Sequence, residues 1–198
     1  MKYLLFIFLF SLSMLSASNT LQQAAQDACP CCAEEYKQFD FWVGEWMVYD
    51  TTGKFIGENL IVKMEDNCVI QENWKSGSSK YTGTSYNFYD KNDQSWNQIW
   101  IDNQGANLKL KGKREGNSMI MRSELIPGQR VDFYYNQITW TLNEDKSVTQ
   151  LWEIYDKDGN LLQQAFKGIY FKKESSSLTQ SKVSIYNTTT RRAELLYF

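Results

Sequence analysis

The sequence predicts an all-β fold: an up-and-down antiparallel β-barrel of about ten strands, with a short N-terminal helical segment before it and a polar C-terminal tail after it. Three observations carry that expectation. Short apolar and aromatic runs follow one another from residue 43 to residue 172. The gaps between them hold turn residues, Asp early and Gly late, which suits a type I turn followed by a bulge. No gap is long enough for a helical crossover, so sequence neighbours must pair antiparallel. Such a sheet exposes two edges unless it curls shut, which makes a barrel the economical answer and a flattened two-sheet sandwich the alternative.

Residues 1–18 read as a secretory signal. Lys2 precedes an apolar run from Tyr3 to Leu12, and Leu15-Ser16-Ala17-Ser18 supplies a small-residue cleavage region. The run is too short for a permanent span, so the mature protein is expected to be exported, periplasmic or secreted, with no membrane span. Residues 19–38 hold Leu21, Ala24, Ala25 and Ala28, then Cys32, Ala33 and Tyr36 beyond Pro30. They predict one or two helical turns broken at the proline, forming an arm that plugs one end of the barrel.

Cys29, Cys31 and Cys32 cluster in this arm, and Cys68 is the only other cysteine. In an exported chain a bond between one of the cluster and Cys68 would staple the arm to the barrel, since a vicinal bond between Cys31 and Cys32 is strained. Four cysteines allow three full pairings, and spacing does not choose among them. Free thiols, a C-x-x-C redox pair and a Cu(I) thiolate cluster are the other readings.

The barrel is expected over 39–172, opening on the strand that contains Gly44-Glu45-Trp46. Strands are predicted near 43–50, 54–64, 68–75, 80–90, 95–102, 106–112, 117–124, 129–141, 147–155 and 161–172. The segments around Asp50-Thr51-Thr52-Gly53, Asp90 to Asp93, Asp102 to Gly105, Asn143 to Asp145 and Asp156 to Gly159 supply the turns. Tyr-Asp recurs at Tyr49-Asp50, Tyr89-Asp90 and Tyr155-Asp156 at unequal intervals, which is repeated hairpin chemistry rather than a repeat architecture. Residues 173–198 turn polar and are expected to form a partly disordered tail.

Composition narrows the function. A chain of 198 residues suits one domain. The formal net charge is −2 without basic runs, which argues against a nucleic-acid partner. The sequence contains no histidine, which removes Ser-His-Asp and Cys-His catalysis and His-ligated zinc or haem. No metal site and no cofactor are expected, and no oligomeric state is set by the sequence. Aromatic residues make up 15% of the chain, with all seven tryptophans between Trp42 and Trp152, which implies a thick apolar interior or a lined cavity.

Period-two counting places Glu72 on the face of Trp74, Gln98 between Trp96 and Trp100, and Gln150 on the face of Trp152. Tryptophan favours concealment, so this face is the lumen. Buried Glu and Gln must find hydrogen-bond partners, in each other, in water or in a ligand. The candidate ligand-binding set is therefore Glu72, Trp74, Trp96, Gln98, Trp100, Gln150 and Trp152, to which Tyr86 and Trp140 are added as guesses because hairpin registers are open. A filled core is the competing outcome.

Phe39-Asp40-Phe41-Trp42-Val43-Gly44-Glu45-Trp46, Cys68 to Trp74, Tyr89-Asp90 with Trp96 to Asp102, Thr139-Trp140, and Gln150 to Glu153 with Asp158-Gly159 together resemble a family of uncharacterised bacterial proteins with a lipocalin-like or calycin-like barrel, over about residues 39–172. Gly44-Glu45-Trp46 itself resembles the first motif of lipocalins. The resemblance implies the barrel, a domain of unknown function and no established activity. It also implies a basic residue covering the first tryptophan, which Tyr135-Asn136-Gln137 does not supply where basic residues are expected before Thr139-Trp140. The cysteine cluster and long tail are further departures. Nitrobindin-like barrels are a structural cousin whose haem ligation needs a histidine that this chain lacks.

Three functions remain in competition: an exported non-catalytic protein binding a small hydrophobic or aromatic molecule, a lyase or isomerase using Glu72 with Tyr86 as acid and base, and a structural or partner-binding protein with a filled core.

Overall fold

The computed structural model describes residues 29–173, in which the chain forms eleven antiparallel strands. They are β1 (Gly44–Tyr49), β2 (Phe55–Met64), β3 (Val69–Ser76), β4 (Thr82–Asp90), β5 (Ser95–Asp102), β6 (Asn107–Glu115), β7 (Ser118–Arg122), β8 (Ile126–Pro127), β9 (Phe133–Leu142), β10 (Val148–Asp156) and β11 (Leu161–Lys172). The expected leader, residues 19–28 and the tail beyond Lys173 lie outside the described residues.

Ten strands close a ring. Sequence neighbours pair from β1 to β7, β7 pairs with β9, and β9, β10 and β11 continue to β1. The closing seam sets Trp46 opposite Lys172 and Tyr49 opposite Ile169, so no strand of the ring is left with an unpaired edge. The eleventh strand, β8, is a two-residue pairing that sets Pro127 opposite Phe133. The sequence signal there, Pro127-Gly128, reads as a break, and a short edge pairing of this kind is where proline is tolerated.

Strand direction alternates, so the connections divide between two ends. The connections at 50–54, 103–106 and 157–160 share one device at the same end. Asp50 Oδ1 accepts from the Thr52 and Lys54 amides at 2.8 and 3.0 Å. Asp102 Oδ1 accepts from Gln104 and Ala106 at 2.9 and 3.0 Å, and Asp156 Oδ1 from Asp158 and Asn160 at 2.9 and 2.8 Å. Each turn then passes a glycine at positive φ, 86° at Gly105, where a side chain would be strained. The recurring Asp and Gly are one hairpin design used three times.

The opposite end is closed by the N-terminal arm. Its described part is a 3₁₀ turn over Glu34–Lys37 and a second over Asp40–Trp42. Phe39 and Trp42 are fully buried and stack at 4.9 Å, with Trp96 and Trp140 edge-on or tilted around them at 5.3 to 5.7 Å. Fully burying one indole removes roughly 200 Å² from water, about 5 kcal/mol at 25 cal/mol per Å².

Polar ties hold the plug. The Arg114 guanidinium donates to Gln38 O at 2.6 Å, Lys63 pairs with Asp40 at 2.8 Å, and Trp46 Nε1 donates to Trp42 O at 2.8 Å. Lys172 lies 4.2 Å over the Trp46 ring and donates to Val43 O. The cation covering the first tryptophan thus comes from β11, not from the residues before Thr139-Trp140. A disulfide joins Cys31 to Cys68, with Cα atoms 5.0 Å apart, and Cys29 pairs with Cys32 at 5.4 Å. All four cysteines are paired, so the arm is stapled to the barrel.

Candidate functional site

Between the plug and the turn-bearing end the interior stays open, forming a cavity of about 430 Å³. Small-molecule sites commonly have this size. Its walls come from facing strands: Trp74 on β3, Trp100 on β5, Leu108 on β6, Ile138 on β9, Trp152 on β10 and Phe166 on β11, with Ile56, Ser76, Tyr81 and Ala165 toward the mouth. Trp100 has room because its neighbour on β4 is Gly83, where an added Cβ would run into the indole. Trp152 Nε1 donates to Asn136 Oδ1 at 2.8 Å, which fixes that ring against the wall.

The floor is polar. Glu72, 4% exposed, accepts from Asn59 Nδ2 through Oε1 at 2.8 Å and from Ser85 Oγ through Oε2 at 2.7 Å. Asn87 Nδ2 donates to Ser85 Oγ at 3.0 Å and to the Ile70 carbonyl at 3.0 Å, while Gln98 Nε2 donates to Asn87 Oδ1 at 2.8 Å. The result is a relay of donors from β5 through β4 that ends on one carboxyl. Cross-strand register builds it, since Glu72 stands opposite Ser85 and Asn87 opposite Gln98. On the far side Tyr170 donates to Gln150 Oε1.

Burial sets the electrostatics. It pushes the Glu72 carboxyl up to about 7, against the opposing effect of the hydrogen bonds from Ser85 and Asn59. Burial, reinforced by the Glu72 charge, drives Tyr170 well above 10, so its hydroxyl stays neutral at physiological pH. Among the described residues no lysine or arginine lines the cavity.

Six of the residues singled out from sequence meet in this space: Glu72, Trp74, Gln98, Trp100, Gln150 and Trp152. Three do not. Trp96 and Trp140 are buried with 2% and 0% exposure, but pack on Phe39 in the closed end. Alternation fixes the face of a residue, not its depth, and the four residues from Trp96 to Trp100 span about 13 Å along a strand. Tyr86 is 43% exposed, stands opposite Ile99 and receives a hydrogen bond from Gln71 Nε2 at 3.2 Å on the outer face. Ser85 occupies the inward position opposite Glu72, so the guess for Tyr86 is one residue out of phase and a Glu72–Tyr86 acid–base pair does not form.

Sequence reasoning missed Tyr170, Tyr81, Asn59, Ser85, Asn87 and Asn136. For Ser85 and Asn87 a signal existed, namely polar residues in alternation along β4. For Tyr170 the only signal was its period-two spacing from Gly168 and Phe166. The sequence matches no family model, and no curated protein matches it.

Proposed function

We propose that this chain is an exported, non-catalytic binding protein that holds a small hydrophobic or aromatic molecule in the barrel. The observation that supports it is the cavity itself, walled by Trp74, Trp100, Trp152 and Phe166 over the polar floor of Glu72, Gln98 and Gln150. The export reading draws support from the two disulfides, which persist in oxidising compartments. Kinship with lipocalin-like barrels rests on the order of the sequence motifs together with the plugged, ten-stranded ring.

The lyase or isomerase reading is weaker. Each oxygen of the Glu72 carboxyl already accepts from a neutral donor, and the Tyr170 hydroxyl is committed to Gln150. The filled-core reading conflicts with the open volume.

Titration with a panel of small aromatic molecules, followed by intrinsic tryptophan emission and native mass spectrometry, tests the proposal. Saturable quenching is expected, weakened about tenfold in Trp100→Ala, since truncating a central aromatic contact costs more than 1 kcal/mol. A panel that leaves emission unchanged and gives no bound mass would reject it.

A further inference from the structure

The cavity floor carries one carboxyl, with no basic side chain beside it among the described residues. Glu72 is held by Asn59 and Ser85, both neutral, and the lining residues, from Ile56 to Tyr170, include one acidic partner for a cation and, among the described residues, no basic one for an anion. A buried carboxylate without a counter-charge is costly, and a ligand able to supply that charge removes the cost. The neighbouring free groups have the same bias. Gln98 Oε1 takes part in no hydrogen bond among the described residues, although the side chain is only 3% exposed and lines the cavity. Its amide nitrogen donates to Asn87 Oδ1 at 2.8 Å and to Ser85 Oγ at 3.4 Å, so an acceptor is what remains. Above this floor stand three indoles and Phe166, rings whose negative faces attract organic cations. At the mouth the Tyr81 hydroxyl donates to Asp102 Oδ2 at 3.1 Å, which adds a second negative group on the way in.

From this arrangement we infer that the cavity selects organic cations, aromatic or alkyl amines whose ammonium meets Glu72 and Gln98, and disfavours carboxylates of the same shape. The inference rests on the cavity being a ligand site. A fatty-acid-like anion would place its carboxylate beside Glu72 with no cation to separate them, and like charges in a low-dielectric site repel strongly. An ammonium there gains two acceptors, and its attached ring or chain gains the aromatic walls.

Calorimetric titration with three indoles of similar size separates the outcomes: tryptamine as cation, 3-propylindole as neutral isostere and indole-3-propionate as anion. At pH 7.5 tryptamine is expected to bind about tenfold or more tightly than 3-propylindole, the scale of a hydrogen bond to a charged group, with the propionate weakest. In Glu72→Gln the advantage of tryptamine should fall to about threefold or less. Equal binding of the cation and the neutral isostere, or a preference for the propionate, overturns the inference while leaving the binding site standing. Failure of all three to bind counts against the site itself.

The unmodified protein provides a second readout. A primary alkylammonium stays charged up to about pH 10, so tryptamine affinity should rise between pH 6 and 8 as Glu72 ionises, with 3-propylindole showing no such rise. The other titratable groups facing the site stay fixed in that window. Tyr81 is raised by burial and its bond to Asp102, Tyr170 is raised by burial, and on Asp102 burial is outweighed by hydrogen bonds from Gln104, Ala106 and Tyr81. A flat tryptamine profile rejects the role given to Glu72.

Discussion

Trp140 and Trp100 both project into the barrel, yet they do opposite work. Trp140 is fully buried among Phe39, Trp42 and Met119, and its indole N–H, like that of Trp42, has no hydrogen-bond partner among the described residues. Trp100 is half-buried and faces open volume. The closed end accepts unpartnered N–H groups, each worth about 1 to 3 kcal/mol, because dense aromatic packing outweighs them. The open half ties the Glu72 carboxyl to Asn59 and Ser85, leaves acceptors at Asn59 Oδ1 and Gln98 Oε1 without a partner among the described residues, and leaves its apolar walls unfilled. One end of the lumen is packed solid and the other is left open.

The two tryptophans are therefore expected to respond differently to truncation. Trp140→Ala should destabilise the protein by about 3 to 5 kcal/mol in a denaturant titration, because it leaves a dry void in a packed cluster. Trp100→Ala should cost about 1 to 2 kcal/mol, since its ring already borders a cavity and creates no new one. Equal losses would erase the distinction.

The staple sharpens it from the closed side. Cys31 and Cys68 are 37 residues apart in sequence, and removing a bond across a loop of that length costs about 2 to 4 kcal/mol. The double variant Cys31→Ser with Cys68→Ser should unfold at correspondingly lower denaturant. Its tryptamine affinity should change less than twofold, because the bond lies at the end remote from the mouth. Affinity that falls together with stability would show the two halves to be one unit.

Glu72 sharpens it from the open side. The unfolded chain releases this proton near pH 4.5, whereas the folded chain holds it to about 7. Folding therefore takes up a proton in that window, and stability falls as pH rises through it and levels off above. The expected loss from pH 4.5 to 8 is about 2 to 3 kcal/mol, measurable by denaturation at each pH, and Glu72→Gln should abolish this component. Stability of the wild type that rises over the same interval would contradict the burial of this carboxyl.

Much of the architecture is legible in the sequence. Asp50, Asp102 and Asp156 with their following glycines announce hairpins, because a carboxylate that caps its own turn acts within five residues. Alternation announces that Glu72, Gln98 and Gln150 share a face with tryptophans. The exceptions have one origin, which is position relative to another strand. The outward place of Tyr86 follows from the register of β4 on β3, and Trp96 and Trp140 leave the cavity through their depth in the barrel.

By itself, then, the sequence determined the interactions that act over short distances along the chain: turns, strand alternation, the absence of histidine chemistry and the clustering of three cysteines in one arm. Only the tertiary structure decided which cysteine joins Cys68, which cation covers Trp46, and which tyrosine enters the cavity beside Glu72. Those choices depend on strand register and on closure between β1 and β11, where residues more than a hundred positions apart meet. A shift of one residue in such a pairing exchanges the inner and outer faces, and no local pattern in the chain records it.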